Sequence, residues 1–146
     1  PVCRPSGTFA DTGYKPASVI VNGEYESGIG GGVCQVSTTV FNAALLANME
    51  IKERFPHVLA AAYVPRGMDA AVYYGLQDFR FKNTNDTSVF IEASAENGVL
   101  TVKILGAPAE KPSDLKLDVT REGDYYILKR TVNGVVNYKT KTKYSN

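Results

Sequence analysis

Gly28-Ile29-Gly30-Gly31-Gly32-Val33-Cys34-Gln35-Val36-Ser37-Thr38-Thr39-Val40-Phe41-Asn42-Ala43-Ala44-Leu45-Leu46-Ala47-Asn48-Met49 sets a glycine run, one cysteine and a nearly all-apolar segment of helical length in direct succession. The run from Gln35 to Met49 holds no Pro or Gly and is rich in Ala and Leu, so it reads as a buried helix with Cys34 at its N-terminus. Unpaired amides and the positive end of the helix dipole favour an anion at that position. A thiol placed there ionises more readily, and the thiolate is the nucleophilic form. A free cysteine is also among the most often buried residue types and commonly just fills space. The glycines argue against that plain reading. Core packing has no need of a glycine cluster, whereas an oxyanion hole or a closely approaching substrate does.

Strand signals surround this segment. Ala17 to Asn22 is a short β-branched run closed by Asn22-Gly23, a dipeptide suited to a tight hairpin turn. Glu50 to Phe55 alternates polar and apolar residues and is ended by Pro56; Val58 to Val64, Asp69 to Tyr74 and Asp78 to Asn83 read as further strands. Thr87 to Ala95 and Val99 to Leu105 form a hairpin about Asn97-Gly98. Leu115 to Arg121, Tyr125 to Val132 and Val135 to Tyr144 alternate strongly, with turns at Glu122-Gly123-Asp124 and Asn133-Gly134.

The expected fold is therefore α+β: one principal buried helix packed on a predominantly antiparallel β-sheet, with a C-terminal β-hairpin extension. Residues 1–106 form the main domain, 107–114 a Pro-containing linker and 115–146 the extension. A small ribbon is marginally stable alone, so it is expected to pack on the main body or on another chain.

Composition narrows the function. A chain of 146 residues with 16 basic and 15 acidic side chains carries no single-sign field, which argues against a nucleic-acid or membrane-surface partner. No apolar run reaches the length of a membrane span. The opening Pro1-Val2-Cys3 has neither a methionine nor a signal-peptide pattern, and reads as an N-terminally truncated piece of something longer. One histidine and two cysteines are too few soft ligands for structural zinc, so no metal or other cofactor is expected; Cys3 and Cys34 could pair as a disulfide, which sequence does not decide. Phosphate-binding glycine motifs fail on spacing, and Ser37 lacks the flanking glycines of a nucleophile elbow.

If Cys34 is a nucleophile, His57 is the one histidine available as its proton acceptor. A helix of about 15 residues runs roughly 22 Å outward, and a strand of about seven residues returns the same distance. That path brings His57 back towards the helix N-terminus. Asp69, Asp78, Tyr63 or a backbone carbonyl would orient the imidazole, and nothing in the sequence chooses among them. Arg66, at the turn Pro65-Arg66-Gly67, is placed to hold a substrate carboxylate, although most turn arginines are simply solvated.

At these residues the chain resembles the VanW family. Gly30-Gly31-Gly32-Val33-Cys34-Gln35-Val36-Ser37-Thr38-Thr39-Val40-Phe41-Asn42-Ala43-Ala44 is similar to its signature. So are Glu53-Arg54-Phe55-Pro56-His57, Tyr63-Val64-Pro65-Arg66-Gly67-Met68-Asp69-Ala70 and Asp78-Phe79-Arg80-Phe81-Lys82-Asn83. Phe55 stands where members often carry histidine, and Arg66-Gly67-Met68-Asp69 replaces the family's Pro-Gly-Arg-Asp turn. The resemblance implies a cell-envelope protein of Gram-positive bacteria, linked to vancomycin resistance and located at the cell wall or cell surface. It implies a cysteine L,D-transpeptidase acting on peptidoglycan stem peptides, with Cys34 and His57 catalytic. Gly31, Gly32, Gln35, Ser37, Tyr63, Arg66 and Asp69 are then the oxyanion and substrate-binding candidates. The rival expectation is a non-catalytic envelope module that binds peptidoglycan or a partner, with Cys34 packed in its core. Oligomeric state is left open.

Overall fold

The computed structural model describes residues 13–21, 24–107 and 112–145. The Cys3 pairing, the reading of residues 1–12, the Asn22-Gly23 turn and residues 108–111 of the expected linker lie outside the described residues. Along the chain run β1 (Pro16–Val21), β2 (Glu24–Ile29), α1 (Val33–Leu46), β3 (Glu50–Glu53), β4 (Arg80–Lys82), β5 (Phe90–Glu96), β6 (Val99–Leu105), β7 (Leu115–Glu122), β8 (Tyr125–Val132) and β9 (Val135–Lys143). All the strand pairing is antiparallel. Among the described residues the single sheet expected from the sequence is instead four small ones: β1-β2, β3-β4, β5-β6 and β7-β8-β9. The C-terminal extension is present as two successive hairpins, the three-stranded antiparallel meander β7-β8-β9.

The helix starts where the glycines allow it and stops where an asparagine turns left-handed. Gly32 caps the N-terminus at φ 93°, a value that strains any residue with a Cβ. At the other end Asn48 adopts φ 55°. The Met49 amide then donates to Ala44 O at 2.9 Å and the Asn48 amide to Leu45 O at 3.1 Å, a Schellman closure with asparagine in place of glycine. The helix therefore ends at Leu46, earlier than its apolar run suggests. Ser37, Thr38, Phe41, Ala44 and Leu45 form its buried face, at the spacing of one helical stripe.

Phe41, Leu45, Ala70 and Leu128 make the centre of the core, flanked by Ile51, Met68, Phe79, Leu117, Val119 and Tyr138. Phe41 meets Phe79 edge-on at 5.5 Å and Tyr138 at 6.4 Å. Leu117, Val119, Leu128 and Tyr138 come from the C-terminal sheet, so that sheet packs on the main body. Arg130 fixes it there. This side chain is 3% exposed, and its Nη1 donates to Met49 O at 2.9 Å and to Leu45 O at 3.3 Å, supplying a cation to the negative end of the helix.

Two segments expected as strands take other forms. Residues 58–64 turn irregularly; they include three successive alanines, poor strand formers, and no neighbouring strand pairs with them. Residues 69–74 are extended but bridge only singly, Phe55 to Ala71 and Tyr73 to Gln77. Their backbone is satisfied by the helix instead. Asn42 Nδ2 donates to Met68 O at 2.9 Å, Thr38 Oγ1 accepts from Ala70 N at 2.9 Å, and Cys34 Sγ lies 3.5 Å from Val72 N. Helix positions 34, 38 and 42 thus meet extended positions 72, 70 and 68. Four helical residues rise about 6 Å and two extended ones about 6.6 Å, so the two repeats stay in step.

Candidate active site

That side-chain zipper sets Cys34 in the first turn of α1, against Val72. The amides of Cys34 and Gln35 lie where helical geometry supplies no carbonyl partner. On the opposite side β3 runs into Arg54, Phe55, Pro56 and His57, and the Ala71 amide donates to Phe55 O at 2.8 Å. This pairing brings His57 beside Asp69. The Asp69 Oδ2 accepts from both the His57 backbone amide and ring Nδ1, each at 2.7 Å. Nε2 stays free of Asp69, and the Cys34 sulfur interacts with the imidazole. Tyr63 Oη lies 3.5 Å from the same Nε2, with its ring edge-on to the imidazole.

The charge states follow from these contacts. Burial pushes the Cys34 thiol up, but the hydrogen bond with His57, the Val72 amide and the imidazolium charge outweigh it and hold the thiol below its ordinary range. Burial likewise disfavours imidazolium; hydrogen bonds to Asp69 and Cys34, with their negative charges, raise His57 to about 9. Asp69 is fully buried, yet the His57 ring and backbone amide, Tyr144 and the Arg54 charge hold its carboxyl at about 2. These contacts favour the thiolate form of Cys34 and the imidazolium form of His57, beside a carboxylate at Asp69. Thiolate–imidazolium pairing of this kind generates a nucleophile and a general acid together.

Among the orienting groups left open by the sequence, the geometry selects Asp69. Asp78 instead accepts from the Phe79 amide and pairs with Arg80. Gly31, Gly32 and Gln35 sit at the helix start around Cys34, with Gln35 exposed. Ser37 is fully buried, its Oγ 2.5 Å from Ala70 O, so it braces the 69–72 segment from beneath the sulfur. Arg66 is engaged by the C-terminal sheet: its Nη1 donates to Tyr126 Oη at 2.9 Å and its guanidinium lies over that ring.

Three contributors escape a reading of the sequence. Arg54 is 2% exposed; its Nη2 donates to Asp69 Oδ1 at 2.9 Å, its Nε to Asp69 O at 2.6 Å and its Nη1 to Thr142 Oγ1 at 2.8 Å. Tyr144 donates to Asp69 Oδ1 at 2.5 Å. The third is the Val72 amide. Period-two alternation along β9 puts Tyr138, Thr140, Thr142 and Tyr144 on one face, which is the signal that marks Thr142 and Tyr144 as inward. Among the described residues no group of three His, Cys, Asp or Glu side chains could hold a metal ion.

These features define an α+β domain with a Cys-His-Asp constellation at a helix N-terminus. The model of the family described as VanW like protein matches residues 6–105, and the chain belongs to that family. It is 44% identical over 92 residues to the uncharacterized protein YoaR of Bacillus subtilis (strain 168), covering 63% of this chain and 30% of that relative. Over 81 residues it is 32% identical to the vancomycin B-type resistance protein VanW of Enterococcus faecalis (strain ATCC 700802 / V583), covering 52% of this chain and 30% of VanW. The match thus spans about three tenths of the length of each of these relatives. No solved structure matches.

Proposed function

We propose that this domain performs cysteine-dependent acyl transfer on peptidoglycan stem peptides, of the L,D-transpeptidase type, at the wall or surface of a Gram-positive cell. The observation that carries the reading is the Cys34 thiol in the first turn of a helix, interacting with a His57 imidazole that the buried Asp69 carboxylate holds at 2.7 Å. Membership of a family that includes a vancomycin resistance protein supports the choice of substrate.

In the acylation step the Cys34 thiolate attacks the carbonyl of the bond between an L-centre and a D-residue. The carbonyl π pair moves to oxygen, where the first-turn amides of α1 stand as donors. Collapse of that adduct expels the D-residue amine, which takes its proton from the His57 imidazolium, and leaves a thioester on Cys34. His57, now neutral, removes a proton from the incoming amine of a second stem as it attacks the thioester. Departure of the thiolate restores the starting ion pair. Asp69 keeps the imidazole in the tautomer with Nδ1 protonated throughout. Tyr63, 45% exposed beside Nε2, is open to contact with a bound stem peptide.

Muropeptide analysis of wall fragments incubated with wild type and with Cys34→Ala tests this. Crosslinked or trimmed products only with wild type are expected. Identical product profiles would leave the rival reading, a wall-binding module without catalysis.

A further inference from the structure

The end of β9 reaches into the candidate site from a part of the chain beyond the family-matched residues 6–105. Asp69 is the hinge of that contact. Its Oδ2 faces the His57 backbone amide and ring. Its Oδ1 faces Arg54 at 2.9 Å and the Tyr144 hydroxyl at 2.5 Å. The Tyr144 oxygen is itself held, accepting from the Gly67 amide at 2.6 Å, and the next residue closes the strand end, the Ser145 amide donating to Val58 O at 2.8 Å beside His57. The phenol is 9% exposed and its ring tilts against Tyr126 at 5.7 Å.

We infer that Tyr144 is a positioning residue for the Cys34–His57 pair, its hydroxyl fixing the rotation of the Asp69 carboxylate so that Oδ2 stays aimed at the imidazole. The inference deepens the catalytic reading and rests on it. The alternative geometry available to Asp69 makes the hydroxyl matter. A carboxylate oxygen held by one guanidinium N–H alone sits on a single point of contact, about which the group can still turn. Arg54 spends its Nε on Asp69 O and its Nη1 on Thr142, so Nη2, which also donates to Gly67 O at 3.3 Å, is its one group on Oδ1. Tyr144 takes the remaining approach to Oδ1 and blocks that rotation. Without it Oδ2 drifts from Nδ1, the imidazolium loses its anchor and the thiolate loses its counter-ion. On this reading the three-stranded C-terminal sheet is part of the catalytic apparatus.

The test measures thiolate directly, with the full chain. Iodoacetamide alkylation is followed against pH and read at Cys34 by peptide mass, so that Cys3 does not contribute. Wild type should label with a midpoint below the free-thiol value of about 8.5. Tyr144→Phe should keep its far-UV dichroism and its cooperative melt while the midpoint rises by about one pH unit, a roughly tenfold loss of labelling rate at pH 6. A Tyr144→Phe profile superimposed on a low wild-type midpoint, with a lowered melting temperature, would make Tyr144 a packing residue and overturn this inference alone. A wild-type midpoint at the free-thiol value would overturn the catalytic reading along with it. 4-Aminophenylalanine placed at Tyr144 restores the ring and a donor, and should return the wild-type midpoint; it carries the test if the Phe variant does not fold. A midpoint shifted in spite of the retained donor would overturn the inference as well.

Discussion

Replacing Asp69 with asparagine exchanges one carboxylate oxygen for an NH2 group at the point where the structure gives the side chain least freedom. Four donors converge on it: Arg54 Nη2 and Tyr144 Oη at Oδ1, His57 N and Nδ1 at Oδ2. An amide offers one acceptor oxygen, so whichever way it flips its NH2 group faces two donors. If the oxygen faces His57, the amide nitrogen opposes Arg54, a cation 2% exposed that pairs with no other carboxylate among the described residues. Removing one partner of a buried ion pair costs about 3–5 kcal/mol, mostly through the charge left behind. Part of that is recovered here, because Arg54 keeps Asp69 O and Thr142 Oγ1 as acceptors. A loss of about 3 kcal/mol corresponds to roughly 10 °C in melting temperature for a domain of this size. Circular dichroism across a thermal ramp measures that shift. The same variant removes the charge that raises His57, so its imidazolium becomes easier to deprotonate and the Cys34 thiol moves back up. Peptide-resolved alkylation at pH 6 should slow by about tenfold or more. An Asp69→Asn protein melting within about 2 °C of wild type with an unchanged alkylation profile would refute the account of this carboxylate.

Turnover on stem peptides should trace a bell against pH, its acid limb set by Cys34 below the ordinary thiol range and its alkaline limb by His57 at about 9; activity that persists undiminished above pH 10 would contradict the imidazolium as general acid. Stability follows a related window. His57, raised from 6.5 to about 9, contributes stability fully present below 6.5 and lost as pH rises through 9, whereas Asp69, lowered from 3.8 to about 2, contributes stability present above 3.8 and lost as pH falls through 2. Melting temperature should therefore be highest between about pH 4 and 6.5, and a maximum above pH 9 would reverse the assigned signs. Arg130→Met strips a cation and two hydrogen bonds from the carbonyl end of α1 while keeping much of the stem's volume; a loss of about 2–3 kcal/mol is expected, read from urea unfolding, with Cys34 alkylation unaffected because the change lies at the far end of the helix.

The sequence by itself determined the elements whose cause is local. The helix expected over Gln35 to Met49 follows from composition and is found as Val33–Leu46, the left-handed turn at Gly32 follows from the glycines before it, and the Asn97-Gly98 and Asn133-Gly134 hairpins follow from residues that accept positive φ. Cys34 and His57 were nameable because each is the only residue of its kind in the stretches concerned, and chain length alone returns one to the other. Asp69 over Asp78 was not legible, since both follow turns and both sit among apolar neighbours; the choice comes from the bridge of Phe55 to Ala71, which sets Asp69 against His57. Residues 69–74 looked like a strand because alternation records which side chains are buried, and it is silent on whether backbone groups are met by another strand or by Cys34, Thr38 and Asn42 from a helix. Arg54 and Tyr144 lie 90 residues apart in the chain, yet both hold one oxygen of Asp69. A convergence of that range leaves no local pattern, because it is fixed by how the β7-β8-β9 sheet docks on α1, and only packing in three dimensions decides that.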